Sequence, residues 1–323
     1  MSGIDLGRDD GPFYAGMVTT FCGQELVLDA SGLAGADVAV LGAPFDDGTS
    51  GRPGTRFGPR AIRDADEGGR WGRPHMTLGI DPLAAMKVVD YGDAEPAPGN
   101  LPQSHENLRA RLRDIYDAGA IPLVLGGDHS LSLSQMHVLA ERYGADGYSV
   151  LHFDTHADTA AELYGTRLSH GAPFRVAVED GVMNGGNIAQ VGLRGNWPDP
   201  PTFDWMRAAG FRWFTMDEID ERGLEEVVSA AIVHVGERAP RTYLTVDIDV
   251  LDPAYAPGTG TPEPGGLTTR ELMRVVRRAA LELDLCAMDI VEVSPPYDVS
   301  QITALAAERV AVEALAGIAA RRS

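Results

Sequence analysis

Cysteine and long apolar runs are both scarce in this sequence of 323 residues. Its two cysteines, Cys22 and Cys286, lie far apart and in no spacing typical of a metal site, so a disulfide framework is not supported. No apolar stretch reaches membrane-spanning length, and the first residues show no basic-then-apolar signal. From these absences we expect a cytoplasmic protein without a membrane segment.

Positive charge is also scarce relative to negative charge. The chain has 27 basic and 47 acidic residues, which give a net charge of −20. A chain this acidic is a poor candidate for binding nucleic acid or anionic membranes. The charge would attract cationic metals and cationic small molecules, although much of it is expected on solvated surface. Hydrophobic content of 44% is ordinary for a globular protein with a sizeable core.

Apolar, β-branched runs recur along the chain and predict its strands. Several runs are continuous rather than alternating, which is typical of parallel strands covered on both faces. About eight such runs occur, at residues 38–44, 87–91, 121–125, 148–153, 189–193, 211–216, 242–248 and 287–293. Helical periodicity predicts helices at residues 107–118, 131–143, 224–235, 269–283 and 302–321. The alternation predicts an α/β fold with three α/β/α layers and a central, mostly parallel sheet.

The alternating pattern begins near residue 37 and reaches the end of the chain without a linker. We therefore predict one domain at residues 37–323 and an N-terminal extension, residues 1–36, that packs on it. Glycine and proline concentrate in predicted loops at residues 48–58, 184–187, 195–201 and 253–266. Several of these loops follow strands, and ligands of open α/β sheets bind beyond the carboxyl ends of the strands.

Two clusters of acidic residues follow predicted strands. Asp154, His156 and Asp158 come after one apolar run, and Asp247 and Asp249 come at the end of another. Alternate positions on a strand face the same side, so each cluster is expected to converge. Single aspartates at strand ends are often turn or helix caps, but two such clusters together favour a site. Converging carboxylates repel each other unless cations lie between them, which predicts a pair of divalent metal ions.

A histidine follows a third predicted strand. His129 comes after the glycines Gly126 and Gly127, which permit a tight turn, and it is expected to reach the same rim as Asp154. A lone histidine in such a place is more often structural, but beside two acidic clusters a ligand is favoured. Imidazoles and carboxylates without thiolate favour Mn²⁺ over a structural zinc. Two such ions can hold a bridging hydroxide as a nucleophile.

Several motifs together resemble the ureohydrolase family, which includes arginases, agmatinases, guanidinobutyrases, proclavaminate amidinohydrolase and formiminoglutamases. The matching segments are residues 51–63, 126–130, 154–158, 169–171, 247–261 and 292–295, and the resemblance spans residues 37–316. It implies one manganese ion held by His129, Asp154, Asp158 and Asp247, and a second held by Asp154, His156, Asp247 and Asp249. The implied cofactor is therefore two Mn²⁺ per chain.

The resemblance also implies catalytic roles for three residues. Asp158 would hold the bridging hydroxide and pass its proton to the leaving amine. His170 would shuttle protons at the mouth of the site, the alternative being a loop histidine without a role. Glu292 would accept hydrogen bonds from the substrate guanidinium, whose planar set of donors a carboxylate matches well. The alternative for Glu292 is a surface acid at the end of a strand.

The segment 159–171 lacks the Ser-Gly-Asn stretch and the asparagine by which arginases grip an amino-acid head. This difference favours the agmatinase and guanidinobutyrase branch, with agmatine or a guanidino acid such as 4-guanidinobutyrate as substrate. Arg167 would suit a carboxylate tail, and Glu162 or Asp46 an ammonium tail. A larger guanidino metabolite, as in proclavaminate amidinohydrolase, is the alternative substrate.

Two alternatives come from other functional classes. Metal-dependent deacetylases share this architecture but use one zinc ion, and a non-enzymatic binding module would need no metal. The resemblance further implies a homo-oligomer, either a trimer or a hexamer. The metal content per chain discriminates among the three classes.

Overall fold

The computed structural model describes residues 19–65 and 73–323, in which nine strands form one sheet. Every pairing between neighbouring strands is parallel. The strands are β1 (Glu25–Leu26), β2 (Val38–Ala43), β3 (Val88–Asp93), β4 (Ile121–Gly126), β5 (Ser149–Phe153), β6 (Ile188–Leu193), β7 (Arg212–Thr215), β8 (Thr242–Asp247) and β9 (Leu285–Val291). The predicted fold class is confirmed, and the eight predicted strands correspond to β2–β9.

Ten α-helices occur in the described part of the chain. They are α1 (Gly58–Asp64), α2 (Pro82–Ala85), α3 (Leu101–Asp117), α4 (Leu131–Tyr143), α5 (Pro173–Glu179), α6 (Pro200–Ala209), α7 (Met216–Arg222), α8 (Leu224–Arg238), α9 (Thr269–Glu282) and α10 (Ile302–Arg322). The five predicted helices correspond to α3, α4, α8, α9 and α10. Helix α3 begins earlier than predicted, because Asn100 caps it by accepting a hydrogen bond from the Gln103 amide. Among the described helices, none combines the length and the apolar character that crossing a membrane requires.

Two hydrophobic cores lie on opposite faces of the sheet. Helices α1, α8, α9 and α10 contribute to one core, and α3, α4, α5 and α6 contribute to the other. Strand β8 shows how one strand serves both cores, because Leu244 and Val246 belong to the first and Tyr243 belongs to the second. This burial on both faces is the physical reason that the strands read as continuous apolar runs.

Residues 19–36 of the predicted N-terminal extension add β1 to the sheet beside β3. The Phe21 amide donates a hydrogen bond to Asp90 Oδ2 at 2.7 Å. Residues 1–18 lie outside the described residues, and the domain boundary at residue 37 stays a prediction.

The sheet order places four strands with polar carboxyl ends next to one another. The full order is β1-β3-β2-β4-β9-β8-β5-β6-β7, so β4, β9, β8 and β5 are adjacent in its centre. Ile290 of β9 lies level with Leu125 of β4 and with Val246 of β8, and Val246 lies level with Phe153 of β5. Because these registers align, the residues that follow the four strands emerge at one edge of the sheet.

Candidate active site and metal centre

His129 lies at the centre of a cluster of buried carboxylates. Its Nδ1 is 3.1 Å from Asp154 Oδ2, 2.9 Å from Asp158 Oδ2 and 3.3 Å from Asp247 Oδ2. All four residues are buried. The structure therefore brings together the four residues assigned by resemblance to the first metal ion.

A second group shares Asp154 with the first. His156 Nδ1 is 3.5 Å from Asp154 Oδ1 and 3.1 Å from Asp249 Oδ2. Ligand atoms of Asp154, His156 and Asp249 all lie within 4.8 Å of one another. Asp247 connects the two groups, because its Oδ1 accepts a hydrogen bond of 2.8 Å from the Asp249 amide.

The convergence of these side chains has a different cause from the predicted strand alternation. Strand β5 ends at Phe153, so Asp154, His156 and Asp158 follow it in a loop. The His156 amide donates to Asp154 Oδ1 at 2.6 Å, and Asp158 has a φ of 50° in the left-handed region. Asp249 lies in a short 3-10 turn after β8. The chain turns tightly over the edge of the sheet and aims these side chains inward.

Mutual repulsion perturbs the protonation of the carboxylates in the absence of metal. Burial, together with the charges of Asp249 and Asp154, raises the pKa of Asp247 well above its usual range. Burial and the charge of Asp154 raise the pKa of Asp249 to about 6. Asp154 behaves differently: burial raises its pKa, but interactions with His152, His129 and His156 outweigh burial and lower the pKa well below its usual range. The cluster thus favours retaining protons when no cation is bound.

The two histidines of the cluster shift in the direction that adds positive charge. Burial lowers the pKa of His129, but the close carboxylates of Asp154, Asp158 and Asp247 outweigh it and raise the pKa well above its usual value. Burial also lowers the pKa of His156. The charge of Asp249 and hydrogen bonds to Asp154 and Asp249 outweigh burial, so the pKa lies well above its usual value. In both cases a bound proton supplies positive charge that balances the neighbouring carboxylates.

The donor set fits divalent metal ions. His129 Nδ1 is buried and makes no hydrogen bond, although three carboxylate oxygens lie within 3.3 Å. Ligands about 2.1 Å from one octahedral ion lie roughly 3 Å from each other, which resembles these distances. Imidazole nitrogen with carboxylate oxygen, and no thiolate, suits ions such as Mn²⁺. The residues present are therefore able to hold metal.

We predict that the stability of the metal-free protein falls as the pH rises from about 5 to 8. Asp249 has a folded-state pKa of about 6, above its usual 3.8, so its stabilising contribution is present at low pH and lost as the pH rises through 6. The raised pKa values of Asp247, His129 and His156 act in the same direction. For Asp249 alone this is on the order of 3 kcal/mol over the whole window from about pH 4 to about 6, of which only the last part falls above pH 5. The measurement is the thermal unfolding midpoint against pH.

The same measurement on metal-loaded protein is the control. Bound cations replace the protons, so the midpoint should change little over this range, and the stabilisation by metal should grow with pH. A metal-free midpoint that rises between pH 5 and 8 would contradict the prediction.

Glu292 follows β9 and presents one free carboxylate oxygen. Its Oε1 accepts hydrogen bonds from the His129 amide at 2.8 Å and from His170 Nδ1 at 3.0 Å, whereas its buried Oε2 has no partner. Glu292 has a φ of 65°, and its amide donates to the Gly127 carbonyl at 2.9 Å. A Cβ added to Gly260 would lie 3.4 Å from Oε2, so glycine at this position leaves space beside that oxygen. Oε2 is therefore available to a donor on a ligand.

His170 is held between Glu292 and a loop residue, Ser50. The Ser50 amide lies 3.0 Å from His170 Nε2, and because an amide can only donate, Nε2 accepts in this arrangement. Burial lowers the pKa of His170, but the charge and hydrogen bond of Glu292 raise it to about 9. The carboxylate thus favours the imidazolium, and the Ser50 amide favours the neutral ring. The two contacts therefore act in opposite directions on the protonation of Nε2.

Sequence reasoning missed four residues that support the site. Asp128 is buried and accepts the Gly48 amide at 2.8 Å, and the Gly48 carbonyl accepts the His170 amide at 3.0 Å. Burial and the charge of Glu292 raise the pKa of Asp128 to about 6. The other three residues missed are Ser50, His152 and Thr245. His152 and Thr245 had a sequence signal, because each precedes a candidate metal ligand, Asp154 or Asp247, by two positions.

The residues suggested for the substrate tail are mostly engaged elsewhere. Asp46 is buried, accepts the Gly54 amide at 2.7 Å and pairs with Arg56. The Arg167 guanidinium is 2.9 Å from Glu179 Oε2 on the surface. Glu162 is exposed. Because Asp46 and Arg167 are paired within the protein and Glu162 is exposed, none of the three is assigned to the tail.

Comparison with known proteins agrees with the geometry. The model of the arginase family matches residues 36–317. Proclavaminate amidinohydrolase of Streptomyces clavuligerus is 39% identical over 281 residues, which cover 87% of this chain and 88% of that protein. Guanidinobutyrase of Pseudomonas aeruginosa is 38% identical over 301 residues, which cover 93% of this chain and 92% of that protein. The crystal structure of a hypothetical agmatinase from Burkholderia thailandensis aligns with a TM-score of 0.85 and 34% identity, covering 99% of this chain and 98% of that one.

Proposed function

The chain belongs to the arginase family and is a hydrolase of linear amidine C–N bonds, and we propose that it is an amidinohydrolase of the agmatinase type that uses two metal ions. It would hydrolyse a linear guanidino compound to an amine and urea. The observation that carries the proposal is the unpartnered Oε2 of Glu292 beside the buried cluster around His129. A free carboxylate oxygen at that place suits a guanidinium group.

The two groups around Asp154 would hold two Mn²⁺ ions. His129, Asp154, Asp158 and Asp247 would bind one ion, and Asp154, His156, Asp247 and Asp249 would bind the other. When bound, the ions supply the Lewis acidity that makes water a nucleophile at neutral pH. A second complete group of donors supports two ions rather than the single zinc of a deacetylase.

The remaining steps fall to residues of the chain. Glu292 Oε2 would accept guanidinium N–H groups and fix the reacting carbon over the cluster. Asp158, whose Oδ2 lies 2.9 Å from His129 Nδ1, would hold the attacking water and carry its proton to the leaving nitrogen. His170 Nε2, which faces Ser50, would exchange protons with the mouth of the site. An amine leaves only after it has gained a proton, so these two residues complete the reaction.

Agmatine and guanidino acids such as 4-guanidinobutyrate are the proposed substrates. Support comes from the 38% identity to a guanidinobutyrase over 93% of the chain. The 39% identity to proclavaminate amidinohydrolase favours a larger guanidino metabolite as the second candidate. The head of the substrate is common to all of them, since each presents a guanidinium to Glu292.

We expect urea release from at least one of these substrates to depend on Mn²⁺. Metal-stripped protein should be inactive with agmatine, 4-guanidinobutyrate, guanidinopropionate and arginine, and added Mn²⁺ should restore urea release with one of the first three. Metal content per chain is measured in parallel. Two manganese ions support the proposal, one zinc ion supports a deacetylase, and full activity without metal would refute it.

We further propose a cytoplasmic homo-oligomer, a trimer or a hexamer, as the resemblance implies. Sedimentation velocity at micromolar concentration is the direct measurement. A monomer as the sole species would refute the proposed assembly and leave the proposed chemistry untouched.

A further inference from the structure

His152 lies beside the candidate metal ligands and belongs to neither of the two proposed ligand groups. It is buried on β5, and its Nε2 is 2.8 Å from Asp154 Oδ2. Ligand atoms of His129, His152 and Asp154 lie within 4.8 Å of one another, which on distance alone makes His152 a candidate metal ligand. Its hydrogen bonds indicate a different role.

Gln190 determines which nitrogen of His152 carries the proton. Gln190 Nε2 lies 2.7 Å from the Ala157 carbonyl oxygen and 3.0 Å from His152 Nδ1. A carbonyl can only accept, so Gln190 presents its NH₂ group here and donates its second proton to His152 Nδ1. A neutral imidazole has one lone pair and one N–H. The lone pair of His152 is therefore at Nδ1, and its N–H points from Nε2 to Asp154.

The neighbouring His129 turns its other ring nitrogen, Nδ1, toward the carboxylates. Its Nε2 lies 3.0 Å from Thr245 Oγ1, and its Nδ1 lies 3.1 Å from Asp154 Oδ2. A metal ligand needs a free lone pair, and with Thr245 Oγ1 accepting from Nε2 a metal-bound His129 would have its lone pair at Nδ1. That nitrogen faces the carboxylates. One histidine thus presents a lone pair to the cluster and the other presents a proton.

We propose that His152 is a positioning residue, which donates a hydrogen bond to Asp154 and fixes this shared carboxylate without binding metal itself. Asp154 Oδ1 accepts the His156 amide at 2.6 Å, and Oδ2 accepts His152 Nε2. Each oxygen keeps a second lone pair for an ion. Binding metal through His152 Nε2 would break its bond to Asp154 and turn an N–H toward the Gln190 donor.

Packing holds the imidazole in this orientation. The ring centroid of His152 lies 4.4 Å from that of Phe174, at an interplanar angle of 36°. Phe174 also contacts His129 edge-on, with centroids 5.6 Å apart. The two histidines therefore share one aromatic support and differ only in their polar partners.

His152→Gln and His152→Leu test the proposal as a matched pair. Glutamine keeps a donor near the position of Nε2, and leucine keeps bulk without a donor. The metal-stripped full-length proteins are titrated with Mn²⁺, and bound metal is counted at saturation. We expect two ions in all proteins, dissociation constants within about threefold of wild type for H152Q, and constants roughly 10- to 100-fold higher for H152L. The proposal would be overturned if H152L bound only one ion at saturation. It would also be overturned if the dissociation constant of H152Q for Mn²⁺ were as high as that of H152L.

Gln190→Met provides a second test that does not need His152 to be removed. It deletes the donor to Nδ1, so we expect weaker binding of Mn²⁺ and no further loss when it is combined with H152L, because both act through one hydrogen bond. Unchanged affinity in Q190M would count against the proposal. A lower unfolding midpoint of metal-free H152L with unchanged affinity would indicate a purely structural role and overturn it.

The inference rests on the proposed pair of metal ions. The titration distinguishes a failure of the proposed function from a failure of the role proposed for His152. Wild-type protein that binds no Mn²⁺ would refute the proposed function and the inference together. Wild-type protein that binds two ions, with H152L equal to wild type in affinity, would refute the role of His152 alone.

Discussion

Asp154→Asn and Asp247→Asn are each expected to lose metal and nearly all urea release. Both carboxylates belong to both groups of candidate ligands, and both are buried. Removing one leaves two cations with too little compensating charge in a buried site. Breaking a buried charge pair costs about 3–5 kcal/mol. At about 1.4 kcal/mol per tenfold, that corresponds to a loss of roughly 100- to several-thousand-fold.

Asp249→Asn is the matched control, because Asp249 belongs to the second group alone. We expect D249N to bind one ion more weakly and to retain the other. Its metal content per chain should therefore exceed that of D154N and D247N. Metal per chain and urea release are measured on the same preparations. If D154N or D247N kept two ions and wild-type activity, the shared role of these carboxylates would be wrong.

The strands were predictable because of their burial. Parallel strands covered on both faces read as continuous apolar runs, and eight of the nine were located to within a few residues. Strand β1 was missed because Glu25–Leu26 is too short to show a period. Helix α6 was missed because it begins with Pro200 and Pro201 in a segment that composition predicts as a loop. Proline is well tolerated in the first turn of a helix, and Asp199 caps this one through the Thr202 amide.

The site was predictable in its residue types but not in its geometry. Asp154, His156 and Asp158 follow one strand closely enough for a pattern to reveal them. The hydrogen bonds that orient the buried histidines of the site come from residues distant in the sequence: Gln190 contacts His152, and Thr245 contacts His129. Periodicity records which face a residue takes on its own element and carries nothing about such long-range partners.

Two backbone conformations were equally hidden from the sequence. Asp158 and Glu292 have φ angles of 50° and 65°, a region that favours glycine. Such conformations persist where the surroundings hold them, and they occur often at functional sites. At Glu292 the bond from its amide to the Gly127 carbonyl contributes to this support. Strand alternation predicted correctly that Asp158 lies in the cluster. The actual cause is a loop after β5 and not an extended strand.

Glu292→Gln is expected to keep both metal ions and to lose most urea release. Oε1 accepts from two protein donors, the His129 amide and His170 Nδ1. The amide oxygen of glutamine would therefore take the Oε1 position, and its NH₂ group would take the position of Oε2. A donor would then face the N–H groups of the guanidinium, and the negative charge would be gone. Hydrogen bonds to charged groups contribute about 1.5–3 kcal/mol each.

Losing one or two such bonds in the transition state implies a decrease in kcat/KM between about tenfold and about 20,000-fold. The measurement is steady-state urea release by E292Q with the best guanidino substrate, together with manganese per chain. His170→Asn is the comparison: we expect a smaller loss and an altered pH profile, because its proposed role is proton transfer at Nε2. Glutamine and glutamate have similar shape at φ 65°, so the backbone at this position should not change. If E292Q instead released a metal ion, or left the rate unchanged, Glu292 would not be the residue that binds the guanidinium.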